Sequence, residues 1–492
     1  MIYHGNETPK NHNKSPIPSQ NNQAGASSQH PPPPPPSYEN YRDYPQPQHQ
    51  PYLHPRPHVV SVDSALLYPQ NEYRQSPGRR FLRAFLVAGL IWLLLTAFFQ
   101  SLHLMVRRSR HGGWLDSWDY SIPPQVNLDT CVQGAKWTEV PNPVPGEYYR
   151  LAAETSFELP LSSETLFLLS RGDRLGGAVK VKTSNDQAKD TALVNVLIRY
   201  RLPIVAERTK ACLVNKGNNE NGVGLFAPVY HGGSPGTEYQ VSFEITVTLP
   251  EHAASNPLDI KNFETDVHNS RHDFADLGAK VLFETITVKG TNGRIETKSL
   301  TARRGYIQTT NGGIAGKFST NETLRLVTSN GRITADVNLE CESTEVRPKL
   351  QASTTNGRID SNINLISKLG GGQGGAFDVS TTTTNSQLDV KFPKSPVDST
   401  LDFTASTTNS RARVTLNPAY EGTFDLRTSS FTKLNIDRYQ GEDPAGKNRK
   451  RLVTYTQERK NQAKGYVSWD PENAHRGSVV VSTTNSALYA RI

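Results

Sequence analysis

Seven times after residue 288 the chain returns to one short motif, Thr-Thr/Ser-Asn-Gly/Ser. Its anchors are Asn292, Asn311, Asn330, Asn356, Asn385, Asn409 and Asn485. The first two intervals are 19 residues each, and the next three are 26, 29 and 24. The flanks keep phase with the anchor. Three residues after it stand Ile295, Ile314, Ile333, Ile359, Leu388, Ala412 and Leu488; four before it stand Val288, Ile307, Leu326, Ala352, Thr381, Ala405 and Val481. Apolar residues alternate outward from these positions, as in Ile333, Ala335, Val337 and Leu339. A period of two means strands with one buried face.

Asn-Gly between alternating runs is a hairpin signal, so a repeated-hairpin β-sandwich is the alternative fold. The fixed phase points instead to an all-β parallel β-solenoid. Like residues recur at like positions when coils stack in register, each burying its inward column on the next, with Asn or Thr ladders along the stack. Asn and Gly are expected to turn each corner in the left-handed conformation. A degenerate copy, Thr428-Ser429-Ser430, falls between Asn409 and Asn485, and an outlying one, Thr183-Ser184-Asn185, comes earlier. The repeats occupy 278–492, with insertions at 366–376, which holds the Gly-rich run Gly370 to Gly375, and at 438–465. Residues 148–277 hold less regular strands, and are expected to cap or begin the stack, since an open solenoid end exposes strand edges.

Before the β region lies one long apolar segment. Ala84 to Val106 is 23 residues, without charge from Ala84 to Phe99. At about 1.5 Å per residue it spans a hydrocarbon core of roughly 30 Å. It starts too late and exits into too basic a flank for a cleaved signal peptide. The expectation is a single-pass transmembrane helix at 84–106, partnered by the lipid bilayer, with a linker over 107–147. Arginines flank both ends, so charge decides orientation poorly. A long C-terminal domain after an internal anchor suits a cytosolic N-terminus and a lumenal or extracellular C-terminal domain.

Residues 1–77 form a Pro-, Gln- and Asn-rich tail with few aliphatic residues, expected to be disordered. The run Pro31 to Pro36 precedes Ser37-Tyr38. Pro35, Pro36 and Tyr38 match the Pro-Pro-x-Tyr ligand of WW domains, which read preformed polyproline II. A WW-domain protein is therefore an expected partner of the tail.

The order Thr248-Leu249-Pro250, a short loop, Leu258 and Ile260, then repeated Thr-Asn-Gly-Arg-Ile coils resembles adhesin-like β-solenoid domains of bacteria and fungi. The resemblance covers about 240–492 and is to a membrane-anchored, fungal-type member, although the long N-terminus and the Asn-Ser variants depart from the family's simple pattern. It implies the solenoid fold and assigns no chemistry, because that family's function is uncharacterised.

The net charge is +8, but the cations are interspersed with Asp and Glu, so no nucleic-acid partner is expected. The densest cluster, Lys447-Asn448-Arg449-Lys450-Arg451, reads as a solvated loop. Arg294, Arg332 and Arg358 form a sparse stripe two residues after their anchors, also expected to be solvated. Asp336, Asp360 and Asp389 follow their anchors at differing offsets and so need not converge, as glycoside hydrolysis would require. His268 and His272 are spaced i, i+4, without the helical pattern of a metal pair. No catalytic, metal or cofactor residue is assigned. Cys131, Cys212 and Cys341 read as buried small apolar residues, one disulfide plus a free thiol being the other arrangement, and they leave the compartment open. Asn321-Glu322-Thr323 is a glycosylation sequon. These features together point to a membrane-anchored, non-catalytic binding or adhesion module for a glycan or protein ligand. The alternatives are a self-associating scaffold and a carbohydrate-active enzyme.

Overall fold

The computed structural model describes residues 119–142, 148–230, 236–429 and 431–492. The tail 1–77, with Pro35, Pro36 and Tyr38, and the span 84–106 lie outside the described residues. Among the described residues no helix is long and apolar enough to cross a membrane.

The repeats build a parallel β-solenoid with two faces. On the first face Leu258–Asp266, Val281–Lys289, the second half of Ile295–Thr309, Thr323–Thr328, Lys349–Thr354, Ala376–Thr383 and Thr400–Thr407 follow one another, all parallel. On the second face the succession is Ser270–Asp276, the first half of Ile295–Thr309, Ile314–Thr320, Ile333–Cys341, Ile359–Ser367, Leu388–Lys391 and Ala412–Thr415. Parallel neighbours exclude the repeated-hairpin sandwich.

The phased columns are register columns. Ile295 pairs with Ile314, then Ile333, Ile359, Leu388, Ala412 and Leu488, and all are buried. Each such aliphatic side chain contributes about 1.5–3 kcal/mol by leaving water, so the stack is held chiefly by these columns.

The anchors form an asparagine ladder at one corner. Asn311 Nδ2 donates to Asn292 Oδ1 at 2.6 Å, Asn330 to Asn311 at 2.6 Å, Asn356 to Asn330 at 2.6 Å and Asn385 to Asn356 at 2.6 Å. Asn409 and Asn485 continue it at 2.7 Å each. Asn269, outside the motif, begins it by accepting from Asn292 at 2.5 Å. The expected left-handed corner is not what the structure uses, because neither these seven anchors nor the glycines after them have positive φ. Glycine is needed there for close approach. A Cβ on Gly312 would stand 1.9 Å from Gly293 O, and one on Gly331 would stand 1.8 Å from Gly312 O.

The last coil is out of sequence order. Ser478–Thr483 lies between Thr400–Thr407 and Gly422–Arg427, and Leu488–Arg491 lies between Ala412–Thr415 and Leu434–Asp437. The chain skips one coil position, lays down the coil 422–437, and returns to fill the gap with its C-terminus. Thr428 therefore stacks beyond Thr483, with its Oγ1 donating to Ser486 O at 2.5 Å. The crossover into this coil is latched by the buried Glu421 carboxylate, which accepts from Trp469 N at 2.7 Å, Asp470 N at 2.9 Å and Asn473 Nδ2 at 3.0 Å.

Residues 148–277 both begin and cap the stack. Thr165–Arg171 and Leu175–Ser184 lie parallel to Leu258–Asp266 and Ser270–Asp276 as a first coil. Leu151–Pro160, Thr191–Tyr200 and Val241–Pro250 extend the second face, mostly antiparallel. Thr183-Ser184-Asn185 is not a ladder corner: it ends a second-face strand, where Thr183 pairs with Leu249. The expected linker 107–147 is itself partly strand, at Asn127–Val132 and Thr138–Val140. Cys131 and Cys212, on adjacent antiparallel strands, are disulfide-bonded, and Cys341 is free and buried. The reading of all three as unlinked apolar residues fails for two, because the register that pairs them was not visible in spacing.

The insertion 438–465 is not a plain loop. Leu452–Arg459 and Gln462–Ser468 form a hairpin that continues the first face past Gly422–Arg427. Its basic cluster is only partly solvated. Arg449 is paired with the buried Asp443 at 2.8 Å, which holds that carboxyl well below its usual range. Arg451 sits near the Tyr439 and Trp469 rings, and burial lowers its pKa to about 10.

Candidate functional site

The two faces end unequally at the C-terminal end of the stack. Among the described residues the second face stops at Leu434–Asp437, which pairs only with Leu488–Arg491, while the first face runs on by the two hairpin strands. In the step between them lies a cleft of about 570 Å³. Leu434, Ile436, Ala463 and Tyr455 form its inner wall.

Alternation places charge on the outside of the same strands. Arg413, Tyr489 and Asn435 are register partners in one outward column, and Thr415, Arg491 and Asp437 in the next. Lys433 and Arg438 flank the terminal strand, and the hairpin adds Glu458 and Arg459. Five cations thus face two carboxylates.

Several of these groups hold one another. Arg438 Nε donates to Tyr455 Oη at 3.2 Å, and its guanidinium lies 4.8 Å over that ring. Tyr455 packs edge-on against Phe424 at 5.6 Å. Arg413 lies over Tyr489 at 5.8 Å, and Arg491 reaches Asp437 at 3.4 Å. Lys433 and Arg459 are exposed, and among the described residues no carboxylate pairs with them. Exposed pairs of this kind are worth about 0–1 kcal/mol, so they compete only weakly with a ligand for the cleft's cations.

The three acidic residues divide into a pair and a single residue. Asp360 and Asp389 are direct register partners and do converge, because both follow their anchors by four residues. Asp336 does not join them; it accepts from Asn362 Nδ2 at 2.7 Å. Arginines hold the pair: Arg358 lies 2.5 Å from Asp360 and 3.9 Å from Asp389, and Arg413 lies 3.7 Å from Asp389. The expected cationic stripe is therefore paired rather than merely solvated, with Arg294 on Glu296 at 3.0 Å and Arg332 on Asp360 at 3.8 Å.

His268 and His272 do not act together. His268 is exposed beside Asp266 at 3.4 Å. His272 points inward, pairing in register with Val179 and Ile295. It is fully buried, and its Nε2 meets Thr265 Oγ1 at 3.1 Å. Asn321 Nδ2 donates to Glu342 Oε2 at 2.9 Å. That hydrogen bond, aided by Lys368, holds the Glu342 carboxyl below its usual pKa.

The cleft escaped sequence reasoning because its lining comes from four separate stretches near 413, 435, 458 and 490. They meet only through the out-of-order last coil. The signal available in the degenerate coil was limited to Lys433 and Arg438 on either side of its last strand.

No family model matches this chain, and no curated protein matches it. Among solved structures, a candidate cell adhesion protein from Clostridium sporogenes ATCC 15579 aligns with 69% of this chain and 99% of its own, at 10% identity and a TM-score of 0.15. That overlap is too small to define a shared fold. The chain's own geometry defines a parallel β-solenoid with antiparallel strands at both ends and a basic, tyrosine-bearing cleft at one of them.

Proposed function

We propose that this protein is a single-pass, membrane-anchored binding module of adhesion type, non-catalytic, which engages its ligand at the basic cleft. The cleft carries this reading. It offers exposed cations and aromatic rings, groups that bind by charge and stacking, on a rigid stack. The antiparallel strands at both ends of the solenoid favour it over an end-to-end scaffold, because they break the parallel register that a stacked copy would continue.

The Cys131–Cys212 disulfide supports the orientation. Such bonds persist in oxidising compartments, so in this reading the solenoid is lumenal or extracellular. The helix at 84–106 then leaves the tail in the cytosol, where a WW domain can reach Pro35, Pro36 and Tyr38.

The test uses the full chain in lipid nanodiscs, screened against immobilised anionic and neutral glycans and peptides. Binding should weaken with salt and fall at least tenfold in a Lys433→Ala/Arg459→Ala variant. Loss of neither signal sinks the cleft reading. Protease treatment of intact cells tests orientation separately: an N-terminal tag should survive while the solenoid is cut.

A further inference from the structure

We propose that the cleft takes an extended acidic peptide, which adds as a strand to the free edge of Leu434–Asp437. The inference rests on the binding-module reading and names its partner's chemistry.

The backbone supplies the first argument. In a parallel ladder, alternate residues turn both N–H and C=O to the same side. Asp437 O accepts from Ile492 N at 2.9 Å, so Asp437 and Asn435 face the neighbouring strand. Leu434 N turns the other way and reaches Lys460 O at 3.4 Å. Ile436 shares that outward direction, leaving its N–H and C=O, and the C=O of Leu434, on the open edge. A buried or half-buried edge of this kind is a template for another strand.

The side chains supply the second. Leu434 and Ile436 continue the inward columns of Leu488 and Ala490 but are only partly buried. The overhanging hairpin leaves room beside them, with Tyr455 and Ala463 across the gap. An added strand would cover these residues with every second side chain, and so complete the second face beneath the overhang.

Charge selects the occupant. The lining holds Arg413, Lys433, Arg438, Arg459 and Arg491 against Asp437 and Glu458. A second copy of this edge would bring like charge to like, which costs energy. A strand alternating apolar with acidic residues satisfies both walls.

The probe is a fluorescein-labelled decapeptide of alternating Glu and Val, titrated against the full chain in nanodiscs. A Lys-Val peptide, a Glu-Val peptide N-methylated at its central residues, and a sulfated glycan are run alongside. The expected result is that Glu-Val binds, and that N-methylation and the Lys433→Glu/Arg459→Glu variant each weaken it at least tenfold. Among the described residues those two side chains pair with no carboxylate, and unchanged thermal unfolding checks that the variant folds. Equal binding of the N-methylated peptide overturns strand addition. Binding of the glycan but not the peptide overturns this inference and leaves the binding module standing. Binding of neither overturns both. Concentration-dependent dimers that Glu-Val cannot dissociate overturn it in favour of a second copy.

Discussion

Asn485 donates its side-chain amide to Asn409 at 2.7 Å, although 76 residues separate them. The bond marks the place where the C-terminal coil slides between two coils made before it. Removing residues 478–492 would strip Val479, Val481, Leu488 and Ile492 from the core. At about 1.5–3 kcal/mol each, their loss rivals the 5–15 kcal/mol that typically holds a domain. A chain ending at 477 should therefore lose order from about residue 400 onward. Limited proteolysis should cut there while 258–340 stays protected. An unchanged cleavage pattern would show that the terminal coil is dispensable.

Gly331→Ala should destabilise by roughly 3 kcal/mol, at the upper end for overpacking, because its Cβ would meet the carbonyl of Gly312 and no flexible side chain can yield. Gly370→Ala should change stability by less than about 0.5 kcal/mol, since a Cβ there meets nothing within 4 Å. Chemical denaturation of both variants reads the difference. Similar midpoints would refute the close-approach account of the corner.

Much of the stack was legible in the sequence. The period-two columns around Asn292 to Asn485 predicted which residues share a ladder, and all seven anchors fall on one corner. Three things were not legible, each for a physical reason. The out-of-order coil keeps the same local pattern whichever neighbours it inserts between, so spacing cannot reveal it. Cys131 and Cys212 meet through an antiparallel register set by strands too irregular to phase. Asp360 and Asp389 share an offset of four on successive coils, but the arginines that hold them come from three coils, and Asp336, at an offset of six, breaks the column. The cleft inherits the first difficulty, because Tyr489 lies between Arg413 and Asn435 only after the insertion.

The disulfide closes a sequence separation of 81 residues and should contribute about 2–5 kcal/mol. A Cys131→Ser/Cys212→Ser double variant should unfold earlier by that margin while keeping the ladder region intact. Thermal unfolding with and without reductant, alongside non-reducing electrophoresis, measures it. Insensitivity of the parent chain to reductant in both assays would argue that the pair is not bonded.

His272 should make the N-terminal coils acid-sensitive. It occupies a position in the aliphatic column between Val179 and Ile295, and burial lowers its pKa from 6.5 to about 4. The folded chain therefore keeps the imidazole neutral where the unfolded chain binds a proton. Its contribution is fully present above pH 6.5, falls as the pH drops through that range, and is gone near pH 4. The difference amounts to roughly 3 kcal/mol, at about 1.4 kcal/mol per pH unit. His272→Val fits the column and carries no titratable group. Between pH 6.5 and 4 the variant should lose less stability than the parent by about that amount. Hydrogen exchange at the amides of 270–276 should report the change locally. Parallel pH profiles for the two chains would mean that His272 is protonated in the fold and that the column tolerates its charge.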